Sequence, residues 1–102
     1  MSHFSTVKTE LRQREPLVSA LEDLGYEPKQ GGHPVRGYRG QTVEAELVVT
    51  LQDSADFGFV WNEANGAYEF VTDLDLWRQS MPIERFLSRL TPRYALTPVL
   101  KA

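Results

Sequence analysis

The chain predicts an α+β fold, with an antiparallel meander sheet and two helices, or three, packed on one face, ferredoxin-like in outline. Three observations carry this. Residues 42–51 alternate apolar and polar side chains over a full strand length. Phe57-Phe59-Trp61 and Tyr68-Phe70-Thr72 alternate on either side of Asn65-Gly66, as in a hairpin. Two apolar stripes at helical spacing, Leu17-Val18-Leu21-Leu24 and Ile83-Phe86-Leu87-Leu90, flank this central β region.

In chain order, residues 3–11 come first. Ser5, Val7, Thr9 and Leu11 share one parity and predict a strand, with Phe4 on the other face. A helix follows, with Pro16 suited to its first position, Gly25 and Pro28 to its end, and Tyr26 packing back on that end. From Lys29 to Gly40 the chain is cationic, rich in Gly and Pro and free of acidic side chains, which predicts a loop with a short strand near Val35–Tyr38. In the next strand Val43, Ala45, Leu47, Val49 and Leu51 should lie under the helices while Glu44 and Glu46 face out. After the hairpin, 73–79 connects to the second helix and should anchor Leu74, Leu76 or Trp77. That helix begins near Ser80, with Pro82 in its first turn. Pro92 should kink or end it, and Thr97-Pro98 reads as a fresh start.

One domain spanning residues 1–102 is expected, large enough for a single core. No apolar run is long enough to cross a membrane, and the N-terminus has no secretory pattern. The absence of cysteine excludes disulfides, thiolate metal sites and a cysteine nucleophile. A cytoplasmic or plastid-stromal setting fits. The net charge of −3 conceals segregation: residues 42–77 hold eight acidic groups and no Lys or Arg, while residues 78–102 hold five basic groups and only Glu84. Such a bipolar chain suits a charged partner, although solvated faces also produce the pattern.

No nucleophile motif, phosphate-binding loop or dinucleotide fingerprint is present, so no catalytic residue is assigned and the protein reads as more a binder than an enzyme. His3 and His33 lack partners at metal-ligand spacing; no metal or cofactor is expected. The candidate ligand site is Lys29, His33, Arg36, Gly37, Tyr38, Arg39 and Gly40. Its arginines would hold an anion bidentately or pair internally with Glu44, Glu46 or the acidic strands. Arg36 and Tyr38 share a face in strand geometry and Arg39 does not, so a joint pocket needs a bend at Gly37 or Gly40. Arg85, Arg89 and Arg93 fall at i, i+4, i+8 and form the candidate partner-binding row. The aromatic strands resemble an RNA-stacking sheet, but their acidic outward residues would repel phosphates, so nucleic acid is not expected as a partner.

Residues 1–9, Leu21-Glu22-Asp23-Leu24-Gly25-Tyr26, Val35-Arg36-Gly37-Tyr38-Arg39-Gly40-Gln41 and Leu90-Thr91-Pro92-Arg93-Tyr94-Ala95 together resemble the hypothetical chloroplast reading frame thirty-five family of cyanobacteria and algal plastids. The resemblance implies a soluble protein of photosynthetic lineage and brings no assigned activity. It also implies further helix, a glycine turn and a closing strand beyond Ala102. Without that strand one sheet edge is open, closed either by a homodimer or by residues 97–102, with Gly58 and Pro34 as the edge's blunting devices. The leading functional reading is a non-enzymatic binding or adaptor domain with an unknown protein partner. The alternative is an anion-binding regulator or enzyme using Arg36, Tyr38 and Arg39.

Overall fold

The computed structural model describes residues 4–52, 54–77 and 81–101, the last six by backbone alone. Its elements are β1 (Phe4–Lys8), α1 (Arg14–Asp23), β2 (Lys29–Arg36), β3 (Thr42–Val49), β4 (Phe57–Asn62), β5 (Ala67–Asp73) and α2 (Ile83–Lys101). The sheet order is β1-β5-β4-β3-β2, and every neighbouring pair is antiparallel. β1 and β2, joined through α1, are therefore parallel to each other, with three strands between them. The α+β architecture is the predicted one, a split β-α-β unit with the meander inserted into it.

Local chemistry fixes the ends of α1. Pro16 sits at its third residue, still in the first turn, where the missing amide hydrogen costs nothing. At the other end Gly25 takes φ 93°, its N–H donates to Glu22 O and the Tyr26 N–H donates to Leu21 O. That bond pair is the Schellman closure. Tyr26 then folds back, its ring edge-on to Phe57 at 5.4 Å and to Phe86 at 5.8 Å.

Both helices cover one face of the sheet, where Leu17, Leu21, Phe86 and Leu90 meet Leu47, Val49, Phe57, Phe59 and Phe70. Leu47 is fully buried, as its parity requires. Trp77 joins this cluster from the link after β5, whereas Leu74 is exposed.

The other face has its own core of Val35, Ala45, Val48 and Val71, flanked by Phe4, Val43 and Val60. This corrects the expectation for β3: Val43 and Ala45 lie here, away from the helices. Pairing of β2 with β3 shifts by one residue between Gln30 and His33, so Gly31 and Gly32, with φ of 95° and 83°, oppose Glu46. The sheet also coils, bringing β2 into contact with β4 and β5, strands two and three places away. Val35 then lies so close to Gly58 that a Cβ there would stand 2.6 Å from Val35 Cγ2 and 2.8 Å from Leu47 O. Gly58 is thus a packing requirement in an interior strand, not an edge device.

Two further expectations are corrected. Lys29–Arg36 is a full strand, because the bulge absorbs the glycine pair and an edge position tolerates Pro34's missing donor. α2 continues through Pro92 and Thr97-Pro98 to Lys101 without a break. Pro92 and Ser88 are both on the exposed side, so the Ser88 carbonyl left without its amide partner can bond to water. Of the two sheet edges, β2 is blunted by its bulge and Pro34. β1 pairs regularly with β5 and has only Lys8 as a charged residue. The expected helix start at Ser80 lies outside the described residues.

Leu47 tests the helix-side core. Leu47→Ala should destabilise the fold by about 2–5 kcal/mol, read as a shifted midpoint in urea unfolding with little change of slope.

A candidate anion-binding cleft

A buried carboxylate organises the end of β2. Asp56 has a side chain only 2% exposed, against 64% for Arg36, and the two pair through Arg36 Nε to Asp56 Oδ2 at 2.7 Å and Nη2 to Oδ1 at 3.1 Å. The same carboxylate accepts the backbone N–H of Arg36 at 3.1 Å and of Leu51 at 3.4 Å. The Asp56 carbonyl in turn accepts the Thr72 hydroxyl at 2.8 Å. This one residue, through its carboxylate and its carbonyl, therefore ties β2, the β3–β4 link and β5 together. The hydrogen bond to Asp56, then its charge, raise the Arg36 pKa above the ordinary arginine value, with burial opposing weakly.

A second buried carboxylate continues the job. Asp73 accepts the Tyr38 N–H and the Asp75 N–H, both at 2.9 Å. Tyr38–Gly40 forms a single tight turn closed by Gly37 N–H to Gln41 O at 2.7 Å. Gly37 rests against the Phe4 ring, which a Cβ would meet at 2.5 Å. Arg39 takes φ 57° at the top of this turn, and its guanidinium lies 5.2 Å from the Tyr38 ring centroid.

This geometry divides the predicted ligand set. Lys29, His33 and Arg36 come together around a cleft of about 270 Å³, whose other walls are Pro34, Val48 and Thr50. Among the described residues no carboxylate lines it. His33 Nε2 lies 2.9 Å from Gln30 O, so that nitrogen carries the hydrogen and donates. Gly37 and Gly40 instead line an adjoining cleft of about 530 Å³, for which Arg36 is the shared wall. Tyr38 and Arg39 are on the wall of neither. Asp56 and Asp73 were not legible as site residues. A buried aspartate twenty residues from its arginine leaves no local pattern.

Elsewhere, Arg85 and Arg89 are exposed on α2, while Arg93 is half-buried and donates to Arg89 O at 3.2 Å. Phe57, Phe59 and Phe70 are fully buried and offer no face to a base. Among the described residues no cluster of three His, Cys, Asp or Glu is placed to hold a metal ion, and no helix is long and apolar enough to cross a membrane.

An α+β domain with a cationic cleft at the end of an edge strand is the class this geometry defines. The profile of the family described as "Protein of unknown function (DUF1257)" matches residues 20–102. The chain is 40% identical over 101 residues to "Uncharacterized protein ycf35" of Guillardia theta, covering 99% of this chain and 77% of the relative. It is 30% identical to the protein of the same name in Cyanophora paradoxa, covering 98% and 77%, and 28% identical to that of Pyropia yezoensis, covering 99% and 77%. The chain belongs to this family. No solved structure matches it.

The carboxylate, more than the ion pair, should carry the stability of the region. Asp56→Ala strands two backbone N–H groups and should cost about 1–3 kcal/mol. Arg36→Ala, whose guanidinium is largely in water, should cost under about 1 kcal/mol. Thermal unfolding of the two variants side by side checks the order.

Proposed function

We propose that this protein is a non-enzymatic binding domain whose working surface is the cleft between β2 and β3, where Lys29, His33 and Arg36 receive an anionic group. One observation carries the reading: three cationic or cationisable side chains from one edge strand surround a cleft with no carboxylate on its wall among the described residues. Arg36 is held in place by Asp56 along one edge of its guanidinium, and the rest of that side chain stays in solvent. A pre-oriented arginine loses less side-chain entropy on binding than a free one. Exposed Arg85 and Arg89 on α2 supply a second cationic surface for a protein partner.

Lys29 and His33 make few internal bonds, so the double variant Lys29→Ala/His33→Ala should fold with near-native stability. Titration with sodium phosphate, followed by amide NMR shifts, should move residues 29–36 and 48–50 in the native protein. The double variant should bind at least about tenfold more weakly, the equivalent of roughly 1.4 kcal/mol. Equal affinity in both proteins rejects the cleft as the anion site.

The regular β1 edge is the place for self-association. Two copies pairing antiparallel about Thr6 would satisfy two-fold symmetry and bring Lys8 opposite Phe4. Light scattering should then record a concentration-dependent rise toward dimer mass. Thr6→Lys, which sets like charges face to face, should return the protein to monomer. Monomer mass for the native chain at high concentration excludes this assembly.

A further inference from the structure

The two clefts share Arg36 as a wall and differ in the charge they carry. The inference rests on the anion-binding reading above and extends it. Arg36 is the common wall, so a molecule seated against its guanidinium can enter both sides. On the β2–β3 side the described wall carries Lys29, His33 and Arg36 and no acidic side chain, a setting suited to an anion with several acceptor oxygens. A phosphate monoester, with about −1.5 to −2 charges at pH 7 and three acceptor oxygens, has that character.

The adjoining cleft differs in kind. Among the described residues, the charged side chains on its wall are Arg36 and Asp56, paired with each other at 2.7 Å. The other described side chains are uncharged: Thr42, Gln52 and Ser54 provide hydroxyls and an amide, and Leu51 and Leu76 provide apolar surface. Its volume of about 530 Å³ lies within the range of small-molecule sites. Gly40 borders this cleft with φ 77° and open space where a Cβ would point, so the turn leaves the entrance clear.

We propose that the ligand is a small phosphate ester, with its phosphate among Lys29, His33 and Arg36 and a neutral, hydroxyl-bearing body in the adjoining cleft beside Thr42, Gln52 and Ser54. Arg36 spans the junction and fixes the orientation. Asp56, by holding Arg36, acts as a positioning residue.

The test titrates the full chain with inorganic phosphate, ribose 5-phosphate, adenosine 5′-monophosphate, ribose and citrate, by calorimetry and amide NMR. At least one ester should bind tenfold or more tightly than inorganic phosphate and add shifts at 40–42 and 51–56 to those at 29–36. Thr42→Trp, a bulky residue at an exposed strand position, should erase that increment, read as the ratio of ester to inorganic phosphate affinity within the variant. Should the variant misfold, the shift map of the native protein decides alone. Esters and inorganic phosphate binding equally, with shifts confined to the first cleft, overturn the two-part site and leave the anion-binding reading standing. An increment that survives in folded Thr42→Trp overturns it too, as does citrate binding more tightly than both esters. No binding of any anion overturns both readings together.

Discussion

A carboxylate with almost no contact with water sets the arrangement of this molecule's functional edge. Asp56 accepts two backbone N–H groups and a guanidinium while its own carbonyl accepts from Thr72. Burying such a charge is costly unless every lone pair finds a donor, so the geometry around it has little freedom. That requirement holds the end of β2 against the β3–β4 link, and the Asp56 carbonyl adds β5 through Thr72. Asp73 applies the same logic one turn further along, where it fixes the Tyr38 amide. The surface exposes Arg36, but the interior decides where Arg36 points.

Coiling of the sheet supplies the second constraint. A flat sheet of this order would leave its far face bare, since both helices lie on the other. Bending β2 back toward β5 lets Val35 settle over Gly58 and gives that face a core of its own. The bulge at Gly31-Gly32 makes the bend available and also spaces Lys29 from His33 along the cleft. Packing and site geometry share one backbone irregularity.

Much of the fold was legible because local signals agreed with tertiary ones. Gly25 with Tyr26 marked the end of α1, Leu47 marked the buried parity of β3, and Ile83, Phe86 and Leu90 marked the stripe of α2. In the hairpin, the positive φ falls at Gly66 as the Asn65-Gly66 pair suggested. Sequence failed where a neighbour overrides propensity. Two glycines and a proline spoke against a strand at 29–36, and only pairing with β3 makes it one. Pro92 spoke against a continuous helix, but its exposed position lets the helix run past it. The cationic character of Lys29, His33 and Arg36 was plain in the sequence. Their separation from Tyr38 and Arg39 was not, because it depends on aspartates far along the chain.

The edge position of β1 has a consequence for the order of events during synthesis. Its one neighbour in the sheet is β5, so Phe4 finds Asp73 as its pairing residue only after most of the chain has been made. The meander from β2 to β5 is built from adjacent segments and can assemble as it emerges from the ribosome, whereas β1 must wait through all of it. During that interval the first strand and the apolar face of α1 have no sheet to rest on. The nascent protein is therefore most exposed to aggregation and to chaperone capture at its N-terminal quarter, and β5 is the segment whose arrival ends that exposure.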